Sequence, residues 1–355
     1  MKKNTPEISN KEKFVTYFDV LNIIACLAVL ILHHNGIVWQ FSKSWSWRIS
    51  LLVECAFYWA VPIFLMLSGA TLMNYREKYS TRTFFKKRFI RTVIPWLCWS
   101  IIILIWKVST GQITLESYNM LYIMNLILGN KVENVYWFFM TLFGIYLCMP
   151  VLANLVKNRK VLWYIVGTAF IMYSCFPVIN QIIGINMSIT IPVASGLIIF
   201  PVLGYLLATM ELRRKTRFWL YASAIMATMF RYIYTYIWSY RTETTDVSIK
   251  GYEKFYSVLL AAAVFVLIKN IKWDSILKQK GKRVLHVLAS YSFGIYLIHM
   301  IVIYYELRLF NKTTSMWSWR TIFVPMTYGI ALCIVWALNK IPVIKKIIGR
   351  RLLED

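Results

Sequence analysis

Residues 14–38 read FVTYFDVLNIIACLAVLILHHNGIV, an almost unbroken apolar stretch that contains a single acidic residue, Asp19. A helix that crosses the hydrocarbon core of a membrane needs about 20 mostly apolar residues, and this stretch is long enough. Its apolar residues are continuous rather than alternating, which favours a helix over a strand in lipid. We therefore predict a first membrane-spanning helix that is retained and not cleaved as a signal peptide.

Apolar stretches of similar length recur along the rest of the chain. Of the 355 residues, 59% are hydrophobic and 15% are charged, which is too little polar surface to cover a water-soluble globule. We predict an all-α, polytopic integral membrane protein with about ten transmembrane helices, forming one domain over residues 1–355. The predicted spans are 14–38, 49–74, 89–108, 134–156, 161–182, 191–210, 218–240, 254–271, 286–307 and 319–339. A stretch at 117–128 is too short to span and is predicted to lie at the interface or to re-enter.

The basic residues are distributed unevenly between the loops. If the N-terminus is cytoplasmic, 29 of the 40 Lys and Arg residues fall on the cytoplasmic side, as the positive-inside rule requires. We therefore predict that both termini are cytoplasmic, together with the segments 76–88 and 211–217 and a short basic tail at 340–355, while 241–251 lies outside. The formal net charge of +25 does not indicate nucleic acid binding, because the charges lie between apolar spans rather than on a soluble face.

Polar residues on the first predicted helix are candidates for chemistry, since ionisable side chains inside a membrane are costly and usually functional. Asp19, Asn22 and His33 fall near one face, because Asn22 and His33 are almost three helical turns apart. His34 points about 100° away from His33, which makes one of the two a bystander. A neutral histidine is a suitable general base near neutral pH. The alternative interpretation is a polar pair that only ends the span.

The second predicted helix carries Glu54 about two turns inside its outer end, at a depth similar to that of His33. A carboxylate there would orient the imidazole or stabilise its charge, whereas the alternative is an interfacial glutamate that reaches water. The same helix carries the small residues Ser68 and Gly69, which predict close packing against another helix.

The ninth predicted helix places Tyr296 and His299 near one face, with His299 in the outer half of the membrane. The matching depth of His33, Glu54 and His299 indicates a shared polar chamber, although a lone membrane histidine is often only a packing residue. Aromatic residues cluster at span ends, mostly as interfacial anchors. The candidate substrate contacts are His299, Tyr296, Trp137 and His34.

A basic cluster precedes the third predicted span. Lys86, Lys87, Arg88 and Arg91 gather at its cytoplasmic mouth, and Arg88 and Arg91 lie on one helical face. This pair is suited to bind the phosphates of a ligand that enters from the cytoplasm. Such a cluster also serves topology or contacts anionic lipid, which is the alternative interpretation.

The six cysteines all lie within apolar stretches and form no CxxC pair or spaced Cys/His cluster. We therefore predict neither a disulfide framework nor a metal site.

Six segments occur in the order of a known family, which this chain therefore resembles. They are YFDVLNIIACLAVLILHH (17–34), AVPIFLMLSG (60–69), KKRFIRTVIPWLCWS (86–100), YWFFMTLFGIYLCMP (136–150), FPVLGYLLA (200–208) and YSFGIYLIHM (291–300). The family is the membrane acyltransferase 3 family of acyl-CoA-dependent O-acyltransferases, in particular its subgroup that includes the O-acetyltransferase of enterobacterial common antigen.

The resemblance implies roles for individual residues. The family pattern in the first helix is a basic residue, ten intervening residues and a catalytic histidine, which here is His33, with Asn22 at the basic position. The family's Arg-x-x-Arg matches Arg88 and Arg91, which are implied to bind the acyl-CoA donor, and we assign Lys87 and Asn22 to the same site. A tyrosine-leucine-x-histidine pattern matches Tyr296, Leu297 and His299.

The resemblance further implies transfer of an acyl group, usually acetyl from cytoplasmic acetyl-CoA, to a hydroxyl of a cell-surface polysaccharide or lipid-linked saccharide. The expected location is the bacterial plasma (inner) membrane, among membrane lipids, with acetyl-CoA as a substrate, no permanently bound cofactor and no nucleic acid partner. The sequence leaves open whether the protein is a homo-oligomer. Two alternatives remain at this point: a transporter or flippase for a lipid-linked sugar, and an inactive family member with a structural or sensory role, which Asn22 favours.

Overall fold

The computed structural model describes residues 15–116, 119–184 and 196–348, and within these ranges the regular structure is entirely helical. The N-terminal lysines and residues 349–355 of the predicted tail lie outside the described residues. The α-helices in the described part of the chain are α1 (Thr16–His34), α2 (Trp45–Phe57), α3 (Ala60–Leu72), α4 (Thr81–Arg88), α5 (Ile94–Ser109), α6 (Met120–Leu128), α7 (Trp137–Leu155), α8 (Arg159–Ala169), α9 (Phe176–Ile183), α10 (Ile199–Thr209), α11 (Arg214–Thr242), α12 (Phe255–Lys269), α13 (Trp273–Ile276), α14 (Gln279–Leu309), α15 (Trp317–Thr321), α16 (Phe323–Leu338) and α17 (Pro342–Ile347).

Several of these helices continue one another. A π-helical turn over Phe89–Val93 joins α4 to α5, and a second over Phe170–Cys175 joins α8 to α9. Such turns insert one extra residue into the hydrogen-bonding pattern and often occur near functional sites.

Within the described ranges, six helical segments are long and apolar enough to cross a membrane. They are Thr16–His34, Trp45–Glu77, Thr81–Ser109, Asn134–Leu155, Arg159–Ile183 and Gln279–Leu309. Three shorter apolar helices, Gly196–Thr209, Phe255–Lys269 and Phe323–Leu338, lie within other predicted spans, and the longer but more polar α11 contains the predicted span 218–240. The chain is therefore a helical membrane protein, while the count of about ten spans and the side on which its ends lie stay predictions.

The first helix lies at the centre of the packing, where α1 contacts α2, α3, α12, α14 and α16. Its small residues Ala25 and Ala28 are buried, and they allow neighbouring helices to approach closely. Large apolar side chains on outward faces remain exposed, for example Ile105 on α5 and Leu147 on α7. Exposed apolar surface of this kind is suited to lipid rather than to water.

The third helix contacts α10 along its backbone. A methyl group built on Gly69 would overlap the carbonyl of Pro201, and one built on Gly204 would overlap the carbonyl of Met66. Each helix therefore presents a glycine to the main chain of the other. The close approach predicted for Gly69 is present in the structure.

Candidate functional site

A cavity of about 510 Å³ opens beside the C-terminal end of α1, and four of the predicted site residues line it. We call it the histidine cavity, and these four residues are His33, Glu54, Trp137 and Tyr296. They come from α1, α2, α7 and α14, which are far apart in sequence. The cavity combines aromatic walls with a few polar groups, as ligand-binding sites usually do.

His33 is half-buried in the cavity wall, and its ring lies against that of His299, with the centroids 5.1 Å apart. His299 is fully buried and does not line the cavity. Its Nδ1–H donates to the carbonyl oxygen of Tyr296 at 2.6 Å, which leaves Nε2 as the acceptor nitrogen of a neutral ring. That nitrogen has no hydrogen-bond partner among the described residues. His299 therefore supports His33 from behind.

The predicted carboxylate Glu54 is buried and faces a buried arginine. Its Oε1 lies 3.8 Å from Nη2 of Arg231 on α11. The Arg231 guanidinium also lies over the ring of Tyr58, 3.9 Å from its centroid, and its Nη1 has no hydrogen-bond partner among the described residues. The glutamate thus belongs to a buried ion pair and also lines the cavity.

Stacked aromatic rings extend from this ion pair along the cavity. Tyr252 stacks with Tyr58 at 4.2 Å between ring centroids and with Trp137 at 5.4 Å. All three residues line the histidine cavity. The start of α7 is tied to α14, because the Tyr136 hydroxyl donates to the carbonyl of Leu297 at 2.9 Å. These contacts fix Trp137 as a rigid part of the wall.

The loop between α11 and α12 contributes Lys250, which lines the cavity and lies over the ring of Trp39, 3.7 Å from its centroid. Sequence reasoning assigned no role to Lys250, Tyr252 or Arg231. The one available signal was Arg231, a basic residue within a predicted span, since such residues are functional candidates.

His34 lies outside the histidine cavity, in a separate buried network. Its Nδ1–H donates to the carbonyl of Leu30 at 2.8 Å, and its Nε2 lies 3.0 Å from the hydroxyl of Thr327, which in turn bonds to Glu306. The ring of Trp319 packs on it at 4.4 Å. The structure therefore does not bring His34 to the place where we predicted a substrate contact.

The basic cluster lies apart from the cavity. Arg88 lies over the rings of Phe84 and Tyr146, and Lys87 lies over the ring of Tyr79. Tyr146 is nine residues beyond Trp137 on α7, which corresponds to about 14 Å along the helix. Because none of Lys87, Arg88 and Arg91 lines the histidine cavity, the structure separates the cationic mouth from the polar chamber.

Asn22 also lies outside the cavity, at the interface between α1 and α14. Its side-chain amide donates to the carbonyl of Ala289 at 3.4 Å. One turn earlier, Asp19 pairs with His286 at 3.0 Å. The histidine of this pair was not among the predicted site residues. The polar face of α1 thus contacts α14 near the start of α1 and lines the histidine cavity at the end of α1.

Comparison with known families matches residues 15–336 to the family described as "Acyltransferase domain". No curated protein and no solved structure matches the chain. The family match covers most of the sequence, including the helices that form the histidine cavity. This protein is therefore a member of the acyltransferase domain family, and its family and its helices together make it a membrane acyltransferase.

Proposed function

We propose that this protein is an O-acyltransferase of the bacterial plasma membrane. It moves an acyl group, most simply acetyl, from cytoplasmic acyl-CoA to a hydroxyl of a cell-surface polysaccharide or lipid-linked saccharide. The observation that supports the proposal is the histidine cavity, which is lined by both His33 and Glu54 and is large enough for a sugar. The enterobacterial common antigen subgroup is the part of the family in which we place the chain.

In the proposed reaction His33 is the general base. A sugar hydroxyl enters the cavity and gives its proton to the imidazole as its oxygen attacks the thioester carbonyl carbon. The tetrahedral intermediate then collapses, the carbon–sulfur bond breaks, and the imidazolium returns the proton to the departing CoA thiolate. The ring ends the cycle neutral, and no acyl-enzyme is required.

The neighbouring residues position this base. Glu54 supplies negative charge in the same wall and favours the imidazolium that forms during the reaction. His299 holds the other side of the His33 ring, since it is itself fixed by its bond to the Tyr296 carbonyl. Trp137 and Tyr296 shape the part of the cavity that receives the sugar.

The donor is bound at the cationic mouth in this proposal. Arg88 and Arg91 bind the phosphates of CoA from the cytoplasmic side, with Lys87 beside them. Asn22 lies on the face of α1 between the predicted cytoplasmic end and the cavity, along which the acyl-pantetheine arm would extend. CoA is a substrate that leaves after each turnover, so no permanently bound cofactor is needed.

The proposal is tested by the acetyl content of surface glycan, measured by mass spectrometry or NMR in cells with and without the protein. We expect acetylation to disappear without the protein and to return with the wild-type chain, but not with His33→Ala at equal membrane abundance. Unchanged acetylation in all three strains would overturn the proposal.

A further inference from the structure

The histidine cavity and its wall contain more positive than negative charge. Glu54 contributes one negative charge, and Arg231 and Lys250 contribute two positive charges that act on it. Glu54 is the carboxylate whose charge acts on Lys250, and no ion pair of the described residues involves the Lys250 ammonium. Since Glu54 already faces Arg231 at 3.8 Å, the remaining charge belongs to Lys250.

The two cations differ in their access to a ligand. Arg231 is buried and does not line the cavity, whereas the Lys250 side chain is exposed and does. The surrounding protein atoms partly desolvate the Lys250 ammonium and lower its pKa although the residue is exposed, and the charge of Glu54 opposes that change. An oxyanion beside Lys250 would stabilise its charged form further.

The loop that carries Lys250 is held in place on both sides of this residue. The Tyr256 hydroxyl donates to the carbonyl of Ile249, and the Ser257 hydroxyl donates to the carbonyl of Gly251 at 3.2 Å. Nearby, the Thr245 hydroxyl donates to the carbonyl of Val38 at 2.7 Å, next to Trp39. Lys250 and its aromatic neighbour are therefore preorganised, so that little ordering is needed on binding.

We propose that Lys250 recognises an oxyanion on the acceptor, so that the substrate is an acidic saccharide carrying a carboxylate or a phosphate. The ammonium would donate a charge-assisted hydrogen bond to that group. The inference rests on the proposed function for the role of the cavity as the acceptor site.

The position of Lys250 assigns this anion to the acceptor rather than to CoA. The basic cluster that suits the donor phosphates lies beside Tyr146, about 14 Å along α7 from the cavity residue Trp137. Lys250 also lies in the segment 241–251, which the charge distribution predicts to be outside. The phosphates of a donor that enters from the cytoplasm would instead lie at the basic cluster, at the opposite end from Lys250.

The test measures binding of three probes to the purified full-length protein by saturation-transfer NMR. They are methyl glucoside, methyl glucuronide and glucose 6-phosphate, which are neutral, carboxylated and phosphorylated. We expect one or both anionic probes to bind about tenfold more tightly than the neutral probe, because one charge-assisted contact is gained. The probe that gains affinity identifies which oxyanion the cavity takes.

Three variants assign the effect to its residue. Lys250→Met is expected to reduce the anionic preference to within about twofold, while Lys250→Arg keeps it. The matched control is Lys254→Met in the same loop, whose ammonium pairs with Glu253 at 2.9 Å and which is expected to behave as wild type. A preference that persists in Lys250→Met, or that is absent from the wild type, would overturn the inference.

The binding measurement does not depend on acyl transfer. If the anionic preference is found and depends on Lys250 but no glycan is acylated, the proposed function fails and the binding site stands. If glycan is acylated and the cavity shows no charge preference, the proposed function stands and this inference fails.

Discussion

The imidazole rings of His33 and His299 lie 5.1 Å apart between centroids, at an angle of 43°. One residue lies at the end of α1 and the other in the middle of α14, so the contact depends on the packing of two distant helices. His299 is fixed by its bond to the Tyr296 carbonyl and leaves His33 facing the cavity. This contact is the basis of the first prediction.

Replacing His33 by alanine is expected to lower the rate of acyl transfer by roughly 10²–10⁴-fold, because a general base contributes about that much. Binding of CoA and membrane abundance should change little, since His33 makes no hydrogen bond to a described residue. The measurement is acetylated glycan per mole of membrane protein. Near-normal transfer by His33→Ala would show that His33 is not the general base.

Replacing His34 by alanine is expected to act on stability instead. The change removes the contact between Nε2 of His34 and the Thr327 hydroxyl, which then keeps only Glu306 as a buried partner, and this loss costs roughly 1–3 kcal/mol. Thermal unfolding of the purified variant in detergent should shift downward, while transfer per folded molecule stays close to wild type. If His34→Ala were as stable as the wild type but transferred no acyl group, His34 and not His33 would be the general base.

Replacing Arg88 or Arg91 by alanine is expected to weaken CoA binding about tenfold each, since each change removes a cationic partner for phosphate. The dissociation constant of CoA for the purified protein gives the result. The matched control is Arg214→Ala, an exposed arginine in another predicted cytoplasmic segment, which should bind as wild type. If the double variant of Arg88 and Arg91 bound CoA as tightly as the wild type, these residues would not bind the donor and would only help to set the topology.

The predicted orientation can be tested with single cysteines in a background without the six native ones. Ser248→Cys in the α11–α12 loop is expected to react with a membrane-impermeant maleimide in intact cells, because the segment 241–251 is predicted to be outside. Thr216→Cys at the start of α11 should react only after permeabilisation. Both positions are exposed in the structure, so access alone does not separate them. The reverse labelling pattern would invert the topology.

The buried pair of Glu54 and Arg231 is expected to show energetic coupling. Either Glu54→Gln or Arg231→Met leaves one charge buried without its partner, which costs roughly 3–5 kcal/mol. The double variant should be less destabilised than the sum of the two single variants, by more than about 1 kcal/mol. Unfolding of all four proteins in detergent gives the coupling, and simple additivity would show that the pair contributes no interaction.

The helices and part of the site follow from sequence patterns alone. Apolar stretches predict helices because a backbone in lipid has few alternatives, and each of the ten predicted spans contains helical structure. The different surroundings of His33 and His34 follow from a rotation of about 100° per residue, which is a property of any α-helix. Local geometry of this kind does not depend on which helix packs where.

The remaining site residues depend on contacts between distant segments. Lys250 and Tyr252 reach the cavity from a loop, where no periodicity indicates the direction of a side chain. The pairing of Arg231 with Glu54 requires α11 to pack against α2, which nothing in either helix specifies alone. The contact of Asn22 with α14 could not be predicted either, because it also depends on how two distant helices pack.

The reciprocal glycines of α3 and α10 have a consequence for genetic screens. Gly69 and Gly204 each face the main chain of the opposite helix, so neither position offers a smaller partner residue that would relieve a clash. A screen scored by glycan phenotype alone would recover changes at both positions as loss-of-function alleles, alongside those of the histidine cavity. Second-site changes at the facing residues, Pro201 and Met66, cannot remove the backbone carbonyl that causes the clash. Only the amount of protein in the membrane would distinguish a lost helix contact from a lost general base.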